Sequence, residues 1–307
     1  MVSPQDSPYL VKTPLTQIVY KLPVTEYPNH KFIGCSDIID YEIHNKLGEG
    51  TFGEVHKGIH KKTNKVVALK RILMHNEKEG IPITAIREIK ILKMLSHTNV
   101  INLIDMAIGV DESNSNTDAN NEAQPSIYMI FPYMDHDLAG LLENPKVKFT
   151  EAQIKWYMKQ LLEGTFYLHQ HKILHRDLKD NKGVLKIGDF GLSRPLQEKS
   201  LTGCVVTRWY RAPELLLKER RYDTAIDMWA IGCVFGEMLK GSPILRGRSD
   251  QDQLDLIFKL CGTPTEEDWP DLLDKLLVCN PQNRATAFAA LDHDYFFTEP
   301  LPADPKE

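Results

Sequence analysis

A glycine-rich segment in the first part of the chain has the residue types that let a backbone approach a phosphate group. Gly48 to Val55 reads G-E-G-T-F-G-E-V, which fits the pattern G-x-G-x-x-G-x-V. Glycine has no Cβ, so its backbone can come close to a phosphate oxygen. Strand-like text lies on both sides, which predicts a β-hairpin and not the strand–helix turn of a dinucleotide-binding fold. An ordinary glycine-rich hairpin without a ligand is the alternative interpretation.

A lysine and a glutamate further along the chain could complete a phosphate-binding arrangement. Lys70 ends the segment V-A-L-K on the third predicted strand, and Glu88 follows Pro82 on a predicted helix. A Lys–Glu pair would hold the lysine amine against the α- and β-phosphates of a nucleotide. The plain alternatives are a solvated strand lysine and a surface glutamate.

Three tripeptides in the second half of the chain complete the set of motifs. They are His175-Arg176-Asp177, Asp189-Phe190-Gly191 and Ala212-Pro213-Glu214. An aspartate directly after a strand can accept the proton of a substrate hydroxyl group or hold Mg²⁺. Each tripeptide alone is common, but all five elements in this order and in these structural contexts are highly specific.

The elements that must position these residues change from strand-like to helical along the chain. β-Branched and aromatic residues predict strands at 41–46, 53–59, 66–72, 100–108, 127–131 and 184–187. An apolar stripe predicts a helix from Pro82 to about Leu95, and Thr150 with Gln153 forms a capping-box pair before another. Asp227 to Leu239 is apolar nearly all round, as in a helix buried inside a larger domain. The result is an α+β chain with a small, mostly β lobe followed by a larger helical lobe.

Composition excludes several classes of protein. The chain has 307 residues, 42% of them hydrophobic, with a net charge of −5, which is ordinary for a globular protein and unfavourable for a general nucleic-acid binder. The longest apolar run, Met228 to Gly236, is far shorter than the ~20 residues of a membrane helix, and the first residues contain no apolar signal core. The 5 cysteines include no C-x-x-C pair, which favours reduced thiols over a disulfide framework or a zinc site.

With these motifs the sequence resembles a eukaryotic protein kinase over about residues 41–297. The segment P-I-T-A-I-R-E at 82–88 is similar to the cyclin-binding helix of cyclin-dependent kinases. The strings at 77–92, 136–142, 172–177 and 32–38 resemble the transcription-elongation branch, which contains the positive transcription elongation factor b catalytic subunit and the fungal BUR/SGV kinase. The resemblance implies the bilobal kinase fold.

The resemblance also implies a division of the chain. Residues 1–40, rich in proline, would form a partly disordered N-terminal extension. The kinase domain would span 41–297, with an N-lobe at about 41–132 and a C-lobe at about 135–297, and 298–307 would form a C-terminal tail.

The same resemblance assigns an ATP site between the lobes. Phe131 matches the gatekeeper, Tyr133 and Met134 match the hinge that binds adenine, and Asp137 matches the ribose edge. Lys70, held by Glu88, would contact the phosphates. The loop over the nucleotide would comprise Leu47, Gly48, Glu49, Gly50, Thr51, Phe52, Gly53, Glu54 and Val55.

Catalytic roles follow in the same way, with ATP and Mg²⁺ as cofactors. Asp177 would be the catalytic base, Lys179 would lie beside the γ-phosphate and Asp189 would hold Mg²⁺. Lys179 favours serine or threonine as acceptor, and Val206 with Arg211 resembles the part of the activation segment that selects proline after the target. The implied substrate is a Ser/Thr-Pro protein, such as the RNA polymerase II C-terminal domain, and the implied location is the nucleus.

Regulation by a cyclin and by phosphorylation is implied as well. Ile81, Ile83 and Ile86 would form the apolar patch that contacts the cyclin. Thr202 matches the activation-loop phosphorylation site, and a solvated loop hydroxyl group is its alternative. The arginines that would hold its phosphate are Arg87, Arg176 and Arg194. Neither direct nucleic-acid binding nor membrane binding is expected.

Two buried charges are expected to have structural roles, because a buried charge needs a partner. Asp227 would anchor the catalytic loop from below. Arg284 would pair with Glu214.

Two positions depart from the family pattern. The kinase loop reads H-R-D-x-x-x-x-N, but Lys182 stands at the asparagine position, as if about six residues were missing after Lys179. A longer block is missing after Pro270. The lost asparagine keeps a second hypothesis open, a catalytically impaired scaffold that binds cyclin or nucleotide. A cell-cycle kinase of the same group is the third.

Overall fold

The structure is a computed structural model. It describes residues 35–50, 53–73, 81–109, 126–134, 140, 142, 144, 147–175, 185–188, 190, 193–195, 208–219, 221–261 and 271–304. All of them belong to the unit Cys35–Glu307.

The N-terminal part of the described chain is a six-stranded sheet in the order β1-β5-β6-β4-β3-β2. The strands are β1 (Ser36–Asp37), β2 (Tyr41–Gly50), β3 (Gly53–His60), β4 (Lys65–Ile72), β5 (Asp105–Gly109) and β6 (Ser126–Pro132). β1 runs parallel to β5, and the other neighbouring pairs are antiparallel. The strands predicted at 41–46, 53–59, 66–72 and 127–131 are confirmed with slightly longer bounds, because their β-branched and aromatic residues fit a half-buried pleated surface.

The predicted strand at 100–108 is wrong over its first half. Regular pairing covers only Asp105–Gly109, and Val100 instead forms a single parallel bridge to Ile187. The Asn99 amide nitrogen donates to the carbonyl oxygen of Leu185 at 3.0 Å, so a side chain takes the place of a ladder bond there. The strand predicted at 184–187 is likewise reduced to this bridge among its described residues. Burial of Val100 therefore explains its apolar character without a strand.

The C-terminal part is helical. Within the described ranges the first α-helix, α1 (Ile83–Met94), lies before β5, and further helices follow β6. These are α2 (Glu151–Gln170), α3 (Pro213–Leu216), α4 (Ala225–Lys240), α5 (Asp250–Cys261), α6 (Asp271–Leu276) and α7 (Ala287–Leu291), together with the short strands β7 (Ile173–Leu174) and β8 (Arg194–Pro195). Short 3₁₀ turns occupy Ile38–Asp40, Arg208–Tyr210 and Asp294–Phe296.

The core of the helical part lies around α2 and α4. The predicted capping box of Thr150 and Gln153 is present at the start of α2, with both reciprocal bonds. α4 is buried on all sides, as its sequence predicted, and ends at Gly241 with φ of 74°. A left-handed residue suits glycine, so the position of Gly241 fixes the end of α4.

α2 also holds the residues that follow α7. Lys155 is 1% exposed, and its Nζ donates to the carbonyl oxygen of Thr298 at 2.9 Å. The same Nζ lies 4.7 Å from the centroid of the Tyr295 ring. The backbone N–H of Ala303 donates to the carbonyl oxygen of Ala152 at 3.1 Å. Residues 295–303 are therefore bound along the first turns of α2.

No helix in the described ranges has the length and apolar character needed to span a bilayer.

Candidate active site

The glycine-rich motif forms the predicted hairpin between β2 and β3. Gly48 lies opposite Val55, and Gly50 lies opposite Gly53 at the end of the ladder. A Cβ on Gly53 would lie 2.1 Å from the carbonyl oxygen of Arg71, so no larger residue fits there without a shift of the backbone. Thr51 and Phe52, at the turn, lie outside the described residues.

The hairpin leads directly to Lys70 on β4. Lys70 pairs with Val55 of β3 on one side and with Met129 of β6 on the other, in the middle of the sheet. Its Nζ lies 2.8 Å and 3.1 Å from the two carboxylate oxygens of Glu88 on α1. Glu88 is only 3% exposed and the Lys70 side chain 13%. The solvated-lysine and surface-glutamate alternatives are therefore wrong.

Burial of the Lys70–Glu88 pair fixes the position of the Lys70 ammonium group. A buried ammonium group needs a compensating charge, and a charge-assisted bond to a carboxylate is short and strong. Glu88 supplies that charge from a helix, so the position of α1 decides where the Lys70 amine points. The arrangement fixes a cation beside the glycine-rich hairpin, where a phosphate group would lie.

The far end of β6 leads into the predicted hinge. Phe131 is 8% exposed and pairs with Ala68 of β4. Tyr133 and Met134 follow and are half-buried. The Nζ of Lys57 lies 4.4 Å from the centroid of the Tyr133 ring. The adenine-binding roles of these residues stay predictions, and Asp137 lies outside the described residues.

Asp227 anchors the segment that precedes the predicted catalytic loop. Its carboxylate is 2% exposed and accepts from the backbone N–H of His175 at 3.1 Å and from Nε2 of His169 at 3.0 Å. Nε2 of His175 lies 2.7 Å from the carbonyl oxygen of Gly188, and the hydroxyl group of Ser193 donates to the carbonyl oxygen of His175. The predicted anchoring role of Asp227 is confirmed.

These bonds bring together the backbone points from which the two predicted catalytic aspartates depart. Asp177 follows His175 closely, and Asp189 follows Gly188 directly. Asp177, Lys179 and Asp189 themselves lie outside the described residues, so their roles stay predictions.

Arg284 and Glu214 form the predicted structural pair. The two guanidinium nitrogens Nη1 and Nη2 of Arg284 lie 2.9 Å and 3.1 Å from the two carboxylate oxygens. Arg284 is 4% exposed and also donates to the carbonyl oxygens of Val278 and Ala225. Because a bidentate Arg–carboxylate pair fixes orientation as well as distance, the end of the activation segment is held to the loop after α6.

Asp250, at the start of α5, was not found from the sequence. Its Oδ1 accepts from Nε of Arg208 at 3.0 Å and from Nη1 of Arg211 at 3.2 Å. Tyr210, between these arginines, donates to Glu237 at 2.6 Å. No spacing in the chain signals contacts between residues 39 or 42 positions apart. Arg211, expected to help select proline, is thus held by Asp250, and its predicted neighbour Val206 lies outside the described residues.

Comparison with known proteins decides the family. The profile of the Protein kinase domain matches residues 41–296. The chain belongs to the protein kinase family.

Comparison with individual relatives indicates which protein kinases this chain is similar to. It is 52% identical to probable cyclin-dependent kinase 9 of Schizosaccharomyces pombe over 91% of the chain and 56% of that protein. It is 50% identical to serine/threonine-protein kinase bur1 of Emericella nidulans over 90% of the chain and 59% of that protein. Cyclin-dependent kinase 9-B of Xenopus laevis is 43% identical over 92% of the chain and 87% of its own length. The predicted resemblance to the transcription-elongation branch is confirmed.

Two length relationships qualify these similarities. The kinase chain spans little more than half the length of the fungal relatives. The alignment with the Schizosaccharomyces pombe protein is 334 positions long, more than the 307 residues of this chain. That relative therefore contains internal residues that align with no residue of this chain. This agrees with the shortened blocks after Lys179 and Pro270.

The described part of the kinase site fits a nucleoside triphosphate. The Lys70 ammonium group supplies a cation for phosphate oxygens, and no atom lies within 4 Å of the Cβ position at Gly48, where the backbone is open to a close approach. Within the described ranges no group of three His, Cys, Asp or Glu side chains is arranged to hold a metal ion. The predicted Mg²⁺ ligand, Asp189, lies outside those ranges.

The predicted regulatory residues are only partly described. Arg87 lies half-buried on α1, and Arg194 lies on β8 opposite Leu174. Thr202 and Arg176 are outside the described residues, so the convergence of the arginines on a phosphothreonine stays a prediction. In the predicted cyclin patch, Ile81 and Ile83 are 38% and 68% exposed.

Proposed function

We propose that this chain is the catalytic domain of a cyclin-dependent serine/threonine kinase of the transcription-elongation type. It transfers the γ-phosphoryl group of ATP to serine or threonine followed by proline, and its substrate is the C-terminal domain of RNA polymerase II in the nucleus. The single observation that carries the proposal is the buried Lys70–Glu88 pair beside the glycine-rich hairpin. In protein kinases this pair must be in place for phosphoryl transfer.

Each predicted site residue has a defined task in this proposal. Lys70 neutralises phosphate charge, and Glu88 keeps its amine aimed at the hairpin. Asp177 accepts the proton of the acceptor hydroxyl group, and Asp189 holds the metal ion. Mg²⁺–ATP, when bound, supplies the phosphoryl group and spreads its charge. Asp227 and His175 hold Gly188, the described residue next to Asp189, and catalysis is mainly positioning and charge stabilisation.

The proposed partner is a cyclin that contacts α1. Exposed apolar side chains at Ile81 and Ile83 support this, since exposed apolar residues on one short segment mark an interaction surface. The names of the relatives, which include cyclin-dependent kinases from a fungus and a frog, support the same class of partner.

Transfer of labelled phosphate from ATP to a Ser-Pro repeat peptide tests the proposal. The chain is assayed with a cyclin of the elongation type, and Lys70→Met is compared with Lys259→Met, a change of an exposed lysine on α5. We expect transfer by the parent and by Lys259→Met, and a loss of roughly 10²–10³-fold in Lys70→Met, the scale for removing one preorganised electrostatic group. Equal rates in the two variants would contradict the proposal.

A second function, a catalytically impaired scaffold, is favoured by one observation. Lys182 stands where kinases have the asparagine that binds the second Mg²⁺. The scaffold binds nucleotide and cyclin without turnover. Inserting the family residues that are missing after Lys179 separates the two functions. If phosphoryl transfer is absent in the present sequence and appears in the restored one, the present sequence is a scaffold.

A further inference from the structure

A cavity of about 640 Å³ lies at the end of the sheet that is remote from the glycine-rich turn. Its walls come from the ends of β2, β3, β4 and β6 and from the start of β5. β3 runs from Gly53 at the glycine-rich turn to His60 at the cavity, a distance of roughly 23 Å for a strand of this length. The cavity therefore lies away from the glycine-rich turn, although its wall includes Tyr133 of the predicted hinge, and its volume is in the range of ligand pockets.

The floor of the cavity is apolar and exposed. Val66 and Ile104 line it and are 41% and 49% exposed. Pro132 and the buried Val67, whose side chain lies on the opposite face of β4 from Val66, also line the cavity. β4 and β6 are paired here, at Val67 and Pro132. A branched apolar side chain placed between Val66 and Ile104 would remove both from water, which is favourable.

The rim of the cavity is basic. The β3–β4 turn, residues 60–65, reads H-K-K-T-N-K in a chain whose net charge is −5. Lys62 is paired with Asp40 at 2.9 Å, whereas Lys65, which lines the cavity, forms no ion pair within the described part of the chain. Lys61 is exposed on the same turn. This local concentration of positive charge is what an acidic ligand would meet.

Among the described residues that line the cavity, Asp105 is the one with a carboxylate, and that carboxylate is already engaged. Asp105 accepts from the hydroxyl groups of Tyr41 and Ser36 and from the backbone N–H of Met106. Its charge is therefore directed at donors of the protein itself. An acidic ligand would meet the lysine side of the cavity, and only its apolar part would extend toward Ile104.

We propose that this cavity and the basic turn form a docking groove for a short, extended acidic segment of a partner protein. The groove takes an apolar side chain between Val66 and Ile104 and aspartate or glutamate side chains against Lys61 and Lys65. Charge complementarity commits the occupant to an acidic peptide. A nucleic acid fits less well, because a few lysines beside an apolar floor cannot follow a phosphate backbone. The proposal does not depend on the kinase activity.

Peptide binding to the whole chain, followed by fluorescence anisotropy, tests the groove. The probe is a fluorescein-labelled peptide, Asp-Asp-Leu-Asp-Leu-Asp-Asp, in about 0.1 M salt, where the screening length is about 10 Å. We expect Lys61→Glu with Lys65→Glu to weaken binding at least about tenfold, because two attractions become two repulsions. Ile104→Asp should weaken it to a similar degree. All three positions are exposed, so the variants keep the fold.

Matched controls carry the same changes elsewhere. Lys259→Glu on α5 and Leu217→Asp after α3 alter exposed residues on the helical part and should bind the peptide like the parent. Peptides with lysine for aspartate, or alanine for leucine, should bind at least several-fold more weakly. The proposal is overturned if the parent fails to bind the acidic peptide, if the Lys61/Lys65 and Ile104 variants bind as well as the controls, or if a single-stranded RNA competes more strongly than the peptide.

Discussion

Nε2 of His175 donates a hydrogen bond to the carbonyl oxygen of Gly188 at 2.7 Å. The bond joins the residue before Arg176-Asp177 to the residue before Asp189, so His175 and Gly188 are fixed relative to each other. On the other side, Asp227 accepts from the backbone of His175. His175 is fully buried, which shields both bonds from water.

Replacing Asp227 should destabilise the fold. In Asp227→Ala the buried N–H of His175 loses this acceptor, and an unsatisfied buried group costs about 1–3 kcal/mol of unfolding free energy. Asp227→Asn should lose less, because the amide oxygen can still accept from His175. Urea unfolding curves measure the difference, with the exposed Asp255→Ala as control. If Asp227→Ala unfolds at the same urea concentration as that control, the anchoring role is refuted.

Removing the charge of Glu88 should slow catalysis more than it weakens the fold. Glu88→Gln removes the buried carboxylate charge beside the Lys70 ammonium group, so the amine is held less firmly beside the hairpin. We expect kcat/KM for a Ser-Pro peptide to fall roughly 10²-fold, the scale of one preorganised electrostatic contact. Steady-state kinetics with cyclin present measure it. Glu42→Gln, a change of an exposed glutamate on β2, is the control. Equal kcat/KM in the two variants would show that Glu88 has no role in catalysis.

The burial of His97 predicts that the free energy of unfolding falls at acidic pH. Its ring stacks on Tyr167 with centroids 4.8 Å apart, and its Nδ1 accepts from the backbone N–H of Asn99. Burial, with smaller contributions from Lys186 and His171, lowers the pKa of His97 below its usual value. Below the unfolded pKa of about 6.5, the unfolded chain therefore takes up a proton that the folded chain resists, and the free energy of unfolding falls as pH decreases.

Urea unfolding at several pH values between neutral and mildly acidic measures this effect. His97→Asn keeps an acceptor for the Asn99 N–H but cannot titrate, so its stability should depend less on pH than that of the parent. The same slope in the parent and in His97→Asn would rule out His97 as its source.

Cys261 should react slowly with alkylating reagents. Its thiol donates to the carbonyl oxygen of Leu277 at 3.3 Å, and burial, followed by the neighbouring Cys279, raises its pKa to about 12. Since the thiolate is the nucleophile, Cys261 should be labelled far more slowly by iodoacetamide than the exposed Cys35 at about pH 8. Peptide mass spectrometry of a time course gives both rates in one sample. Comparable rates would show that Cys261 is not shielded.

Local patterns and the family resemblance predicted the parts of the site that depend on short segments. The hairpin around Gly48 and Gly53 follows from strand-like residues on both sides of the glycines, and the capping box of Thr150 follows from a spacing within one turn. The Lys70–Glu88 pair was predicted because both residues lie in motifs with known partners. In each case the information is carried by residues close in sequence or by a recognisable motif.

Contacts between distant residues were harder to predict. Asp250 pairs with Arg208 and Arg211 only because α5 begins beside the turn at 208–210, and no pattern in the sequence reports that juxtaposition. Val100 was assigned to a strand because burial and strand formation both favour valine. The structure pairs Val100 with Ile187 at a single bridge, and the Asn99 side chain beside it donates to Leu185, contacts that hydrophobicity alone does not reveal.

The attachment of residues 295–303 to α2 bears on where such a domain can be trimmed for expression. The family match stops at residue 296, and a boundary drawn there would delete Thr298, whose carbonyl oxygen receives the ammonium group of Lys155. Lys155 would keep its place in the interior with one fewer acceptor, and the soluble yield of the shortened protein would fall. A boundary after residue 303 retains both tethers to the helix.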